Sequence, residues 1–280
     1  MDYAFYDGKM LPLCEVKIAT DDRAFFFGDG VYDAMVGCGR TIYMEKEHLE
    51  RFRKNLCALF LTVPYSDKEI QDILSALMEM AGVENLFLYI QASRARNERQ
   101  HSSYGYHKAH FFAYAKSFDL PDENKRLSLV SVEDTRYELC HIKTLNLLPN
   151  TIAASYAEQM GADEAVFVRD GIVRECSHSN ISILKDGKLI THPLDCHILP
   201  GIMRSVLVGC AGKMGIPLEE RHYTKEEIYS CDGVFITSTT RRCALACALD
   251  GVALPLPTAK ALALHSLVNM EFFEKIGKNI

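Results

Sequence analysis

A two-domain α/β chain of the α+β type is the architecture this sequence predicts, on three observations. It opens with a meander of short strand-like runs, continues through segments with helical spacing of apolar residues, and then returns to a compact set of short strands. At 280 residues, 48% hydrophobic and 24% charged, it can bury one or two substantial cores. The polar, proline-containing stretch Ser117–Asn124 reads as a linker. A small N-terminal α/β domain over 1–120 and a larger C-terminal domain over 121–280, carrying Lys143, are therefore expected.

Composition narrows the function. No apolar run approaches the length of a membrane span, and the start, Met1-Asp2-Tyr3-Ala4-Phe5, has neither a basic region nor an apolar signal core. The expectation is a cytoplasmic protein. Ten cysteines lie scattered without a CxxC pair, so reduced thiols are expected. A formal net charge of −6 without a basic block argues against nucleic-acid or anionic-membrane partners. The ligand should be small.

In chain order, Tyr3–Tyr6 turns at Asp7-Gly8 into Lys9–Leu13, and Val31–Val36 turns around Gly37–Gly39 into Arg40–Met44. Between them, Arg23–Asp33 holds three phenylalanines and a Gly-x-Gly, read as a turn. Lys46–Leu61 has apolar residues at helical spacing, with His48 and Arg51 on one face. Ser66-Asp67-Lys68-Glu69 is a capping box opening a second helix, which Gly82 ends. Leu86–Ser93 and His110–Lys116 read as strands, separated by a polar loop where Arg94, Arg96, Arg99 and His101 crowd together. That loop is either a solvated excursion or an anion site.

After the linker, Leu127–Val132 alternates as a strand and Asn150–Met160 reads as a helix capped by Asn150 and stopped by Gly161. Lys143 lies between these two. Glu164–Val168, Ile172–Glu175, Asn180–Leu184 and Lys188–His192 form an antiparallel set turning at Asp170-Gly171 and Asp186-Gly187. Leu199-Pro200-Gly201-Ile202-Met203-Arg204 opens a helix whose free amides suit a phosphate. A second capping box at Thr224, a strand over Gly233–Thr237 with a hydroxyl-rich tip ending in Arg241-Arg242, and a helix over Thr258–Lys275 complete the chain.

Lys143 is the residue the rest of the chain must explain. A stem among Ile142, Leu145 and Leu147 would desolvate its amine and prepare it to attack a carbonyl, although a lone lysine at a strand end ordinarily just reaches for water. A carboxylate at a strand end, Glu175, and several phosphate-binding elements accompany it: Arg51, the Ile202 and Met203 amides, and the Thr239 hydroxyl. Together they describe what pyridoxal 5′-phosphate requires: an amine for the Schiff base and proton transfer, a partner for the pyridine nitrogen, and donors for the phosphate. No residues stand at metal-ligand spacing, and no Gly-x-Ser-x-Gly is present.

Six motifs fall in order: Phe27-Gly28-Asp29-Gly30-Val31-Tyr32, His48-x-x-Arg51, Ile142-Lys143-Thr144-Leu145-Asn146, Glu175-x-Ser177-x-Ser179-Asn180, Leu199-x-Gly201-Ile202-x-Arg204 and Thr237-Ser238-Thr239. As an ordered set they resemble the fold-type IV, or class IV, pyridoxal-phosphate aminotransferases. The resemblance implies a two-domain fold with the cofactor between the domains and a homodimer. It gives Lys143 the catalytic role, and cofactor binding to Arg51, Lys143, Glu175, Ser179, Asn180, Ile202, Met203, Ser238 and Thr239. Within the family, Arg94-x-x-x-x-Arg99-x-His101 is similar to the loop of D-amino-acid aminotransferases. Tyr32, Arg99 and His101 would then grip the substrate carboxylate, the Arg99 loop reaching the partner subunit's site. Transamination between a D-amino acid and a 2-oxo acid is the implied reaction; branched-chain aminotransferase or aminodeoxychorismate lyase are the alternatives.

The chain departs from the pattern at Asp33, where glutamate is usual, at Cys176, where Gly or Ser is expected, and at Leu245, which replaces a proline. Arg241-Arg242 charges a tip that is commonly less charged. One of these arginines is expected to reach the substrate and favour acidic side chains, unless both are simply solvated.

Overall fold

The computed structural model describes residues 2–95, 98–105 and 107–277. Arg96, one of the crowded loop arginines, lies outside the described residues. The chain divides into two compact units, Met1–Leu120 with Ile142–Asn146, and Pro121–His141 with Leu147–Ile280. Lys143 packs with the first unit, although it follows the linker in sequence.

The first unit is an antiparallel sheet of β1 (Tyr3–Tyr6), β2 (Lys9–Pro12), β3 (Gly30–Cys38), β4 (Thr41–Ile42), β5 (Asn85–Arg94) and β6 (Ala109–Ser117), ordered β2-β1-β6-β5-β3-β4. Asp7 and Gly8 both take positive φ, 42° and 89°, giving the backbone twist a two-residue hairpin needs. Three helices follow the predicted pattern except the first. The segment read as a turn forms a short helix, α1 (Arg23–Phe27), because Asp22 accepts from the Ala24 amide at 2.8 Å and Gly28 closes it at φ 62°. In α2 (Glu45–Ala58) and α3 (Asp67–Ala81) the apolar faces meet the sheet. Phe52, Leu56, Ile70, Leu74 and Leu77 pack with Met35, Leu88, Ile90 and Phe111 in one core. The Ser66 capping box forms, with the Ser66 amide donating to Glu69 Oε2 at 2.7 Å.

The second unit is built on a mixed sheet. It comprises β7 (Leu127–Glu133), β8 (Glu164–Arg169), β9 (Ile172–Cys176), β10 (Asn180–Lys185), β11 (Lys188–Thr191), β12 (Leu218–Glu220), β13 (Gly233–Ser238) and β14 (Arg242–Leu249), ordered β12-β11-β10-β13-β14-β7-β8-β9. A short β15 (Val252–Ala253) pairs with β14. Helix α4 (Leu148–Gln159) connects β7 to β8, which are parallel, so a crossover through a helix is required. Leu127, Val166, Val173, Ile181, Ile190, Val234, Ile236 and Ala244, drawn from seven strands, share one core. Helices α5 (Ile202–Lys213), α6 (Lys225–Ile228) and α7 (Ala259–Lys275) complete the unit, α5 and α7 packing on β13 and β14.

Three expectations need correction here. Helix α4 starts at Leu148 rather than at Asn150. Asn150 is not its cap but sits inside the first turn, where its Nδ2 donates to the Ser177 carbonyl at 2.8 Å. The strands after β8 are not one antiparallel run, since β10 turns from β9 to pair with β11 and β13. Arg242 is not a solvated tip residue. It begins β14 at 1% exposure, its guanidinium 4.8 Å from the Phe273 ring and its Nη2 donating to the Pro121 carbonyl at 2.5 Å. Arg241 pairs with buried Glu164 at 3.7 Å.

Candidate active site

In the first unit the site is built around the start of β3. The Lys143 segment lies along β3 beyond its short pairing with β4: Tyr32 N donates to Lys143 O and Leu145 N to Gly30 O, each at 3.0 Å, with a bridge between Val31 and Thr144. This approach requires glycine at position 30. A Cβ there would stand 2.4 Å from the Ala92 carbonyl oxygen and 2.7 Å from Leu145 Cδ1. The result is a half-buried lysine whose Nζ lies 4.4 Å above the centre of the Tyr32 ring. The bed expected for it was aliphatic; the ring beneath the amine is aromatic. Tyr32 itself stacks on Tyr89 at 5.5 Å, which stacks on Tyr114 at 5.1 Å.

Side chains alternate along a strand, so Asp33 points to the opposite face from Tyr32, where α2 packs. There Arg51 donates through Nε and Nη2 to Asp33 Oδ2 and Oδ1 at 2.9 and 2.8 Å, and His48 Nδ1 meets Oδ1 at 2.8 Å. Asp33 and His48 are fully buried. Burial alone would raise the Asp33 pKa, but Arg51 and His48 outweigh it and hold the carboxyl far below the usual range. Burial keeps His48 neutral, which makes Nδ1 the donor to Asp33 and leaves Nε2 without a partner among the described residues. The sequence marked Asp33 only as a departure, yet it is what orients Arg51.

Arg99 and His101 lie exposed against α1, Arg99 5.5 Å and His101 5.7 Å from the Phe27 ring. Their loop is moored by a residue the sequence did not single out. Buried Arg23 donates to the Gln100 and His101 carbonyls at 2.6 and 3.3 Å, and shares Asp29 Oδ2 with Arg94 at 2.8 and 2.9 Å. Among the described residues, no hydrogen bond or ion pair joins Arg99 or His101 to Tyr32.

In the second unit Glu175, next to last in β9, has a carboxylate clamped on both oxygens. Oε1 accepts from Arg136 Nη1 at 2.5 Å; Oε2 accepts from Asn180 Nδ2 at 3.0 Å and the Leu199 amide at 2.9 Å. Asn180 also donates to the Leu199 carbonyl, and its register with Thr237 sets it beside the end of β13, where Ser238 and Thr239 stand. Ser179 is turned aside, donating to Glu164 at 3.0 Å. Next to Asn180, α5 starts at Gly201 with no side-chain cap, so the Ile202 and Met203 amides keep the unpaired donors of a helix start. Gly201 could carry no side chain, because a Cβ would meet Asn180 Oδ1 at 1.9 Å. The sequence missed Arg136 and Asp134, a buried pair in an otherwise featureless stretch.

The first unit offers an anchored amine on an aromatic face; the second offers a clamped carboxylate and an uncapped helix start beside hydroxyls. Those donor types fit a phosphorylated, carbonyl-bearing heterocycle, and they define an enzyme of amine and carbonyl chemistry. The chain belongs to the amino-transferase class IV family, whose profile matches residues 30–248. It is 34% identical over 254 residues to a D-alanine aminotransferase of Staphylococcus haemolyticus, covering 90% of each chain. A D-alanine aminotransferase of Listeria monocytogenes is 34% identical over 243 residues, covering 85% of this chain and 84% of that one. Solved structures establish the same fold. A branched-chain aminotransferase of Thermoproteus uzoniensis superposes with a TM-score of 0.89 at 24% identity, over 99% of this chain and 95% of that one. A T.th. branched-chain amino acid aminotransferase, solved with pyridoxamine 5′-phosphate, gives 0.89 at 20% identity over the same shares.

Proposed function

We propose that this aminotransferase moves the amino group of a D-amino acid to a 2-oxo acid, using pyridoxal 5′-phosphate. The observation that carries the reading is the nearly full-length match to D-alanine aminotransferases. Lys143 would hold the cofactor carbonyl and Glu175 its pyridine nitrogen. The Ile202 and Met203 amides, Ser238, Thr239 and Arg51 would hold its phosphate, charge and directed donors acting together. When bound, the group supplies an electron-poor ring that takes up the electron pair released at the substrate's α-carbon.

The protein's own part is proton handling and orientation. Lys143 Nζ, held 4.4 Å above the centre of the Tyr32 ring, would accept the α-proton and give it back. Asn180, Arg136 and the Leu199 amide hold Glu175 in one orientation, so it would serve the ring nitrogen without reorganisation. Tyr32, Arg99 and His101 would take the substrate carboxylate and so fix which enantiomer presents its α-hydrogen to Lys143.

A homodimer in the cytoplasm belongs to the same reading. Leu148, Ile152 and Met160 stand 58 to 70% exposed along one side of α4 and its end, a stripe that suits burial against a second copy. Among the described residues no helix is long and apolar enough to cross a membrane.

Incubating the protein with cofactor, 2-oxoglutarate and a panel of D- and L-amino acids, while following the cofactor absorbance, tests the reaction. Turnover confined to D-amino acids supports it. Turnover of L-branched substrates, or pyruvate release from aminodeoxychorismate without an amino acceptor, would replace it with a sister activity.

A further inference from the structure

Glu175 does not have its guanidinium to itself. Arg136 gives Nη1 to Glu175 Oε1 at 2.5 Å, but gives Nε and Nη2 to Asp134 at 2.9 Å each. Asp134, Arg136 and Glu175 are 4, 6 and 6% exposed, and the Phe167 ring lies 4.1 Å from the guanidinium carbon. One buried cation is thus divided between two buried anions. Arg136 Nη2 also reaches the His197 carbonyl at 3.1 Å, and Arg169 stands 3.8 Å from Asp134 on its outer side.

Resting on the reading that Glu175 serves the pyridine nitrogen, we propose that Arg136 is a positioning residue that sets the charge Glu175 presents there, and that Asp134 governs how much of the guanidinium Glu175 receives. The physical argument is one of sign. A positive charge beside the ring site lowers its affinity for a proton, and a negative charge raises it. Cys140 and Cys176 lie close to Glu175 as thiols, while Glu164, Arg241 and Arg169 stand further round the same cluster. Burial pushes the Cys140 thiol up to about 11 and also raises that of Cys176 well above its ordinary value. Arg136, bonded to Glu175, and Asp134, bonded to Arg136, are two levers that act in opposite directions. Glu175 cannot swing to escape them, because Asn180 and the Leu199 amide fix its second oxygen.

The test is a titration rather than a rate. Holoprotein loaded with cofactor labelled with 15N in the ring is followed by NMR across the pH range in which it stays folded. The readout is the midpoint of ring-nitrogen protonation, or the protonated fraction at one fixed alkaline pH. Arg136→Met should raise the midpoint by roughly one pH unit and Asp134→Asn should lower it. Arg136→Lys should bring it back toward wild type. A merely structural role would move Arg136→Met and Asp134→Asn the same way or not at all, and either result overturns the inference. Should Asp134→Asn not fold, a midpoint that fails to rise in Arg136→Met or fails to return in Arg136→Lys does the same. Glu175→Gln separates the two levels. If it leaves the midpoint in place, the assignment of Glu175 is wrong; if it lowers the midpoint while Arg136→Met has no effect, only the present inference falls.

Discussion

Arg51 reaches Asp33 with two parallel hydrogen bonds, 2.9 and 2.8 Å long, in a pocket where the carboxylate has no solvent exposure. Breaking a buried pair from one side costs more than forming it returned, because a charge is left stranded. Asp33→Ala should therefore destabilise the protein by about 3–5 kcal/mol, measured by denaturant unfolding. It should also flatten the acid limb of the stability profile. The folded carboxyl is depressed, so its contribution is fully present above the ordinary Asp pKa of about 3.9 and is lost only as pH falls below that. An unchanged acid limb in the variant would show that Asp33 does not carry it.

A second acid-sensitive element lies in the second unit. His192 is buried with both ring nitrogens engaged, Nε2 by Arg174 at 2.7 Å and Nδ1 by the Pro193 carbonyl at 2.9 Å. Burial lowers its pKa to about 4. A depressed folded pKa means the unfolded chain takes up the proton first, near pH 6.5. Stability should fall as pH drops from about 6.5 to about 4, and His192→Gln should lose that slope. Thermal unfolding at a series of pH values reads it directly.

Borohydride reduction of the protein with pyridoxal phosphate should tag a single peptide, the one containing Lys143. A label on Lys116 or Lys185 would move the reacting amine elsewhere. Lys143→Ala should bind the cofactor more weakly and lose transamination altogether, since it removes the amine that stands over the Tyr32 ring to carry the proton.

Gly201→Ala places a methyl group 1.9 Å from Asn180 Oδ1, and Asn180 is tied to Glu175 and Leu199. That side chain must move. Loss of one such buried contact is worth about 1–3 kcal/mol, so the apoprotein should lose about that much stability and cofactor affinity should drop by roughly 5- to 150-fold. Equilibrium dialysis against the cofactor measures it.

Arg242→Ala removes a packed guanidinium and its bond to the Pro121 carbonyl, a cost of about 1–3 kcal/mol in stability. The ratio of rates with D-alanine and D-glutamate should not change. A selective loss with D-glutamate would restore Arg242 to the substrate site.

How much of this was legible in the sequence depends on whether the signal was local. Asp7-Gly8, Asp170-Gly171 and Asp186-Gly187 mark three hairpins because the turn conformation is chosen by the two residues that adopt it. The Ser66 box marks a helix start for the same reason. By contrast β14, Arg-Cys-Ala-Leu-Ala-Cys-Ala-Leu, carries no β-branched residue, and its strand form is imposed by β13 and β7 on either side. The motifs singled out Lys143, Glu175 and the start of α5. The roles of Asp33 toward Arg51, of Arg136 toward Glu175 and of Arg23 toward the Arg99 loop were not legible, because each is recognised only by what lies opposite it in space.

The five-residue return of Ile142–Asn146 to the first unit has a consequence for cutting the molecule apart. A gene divided after Leu120 would give two fragments of sensible size, each with most of a core. The lysine would travel with the second fragment, while Gly30, Val31 and Tyr32, whose backbone fixes its position, would stay with the first. Neither fragment alone could present an amine at a defined place. Co-expressed halves should regain activity only if this short stretch finds its strand again, so reassembly of the split enzyme would be a direct assay of one backbone bridge.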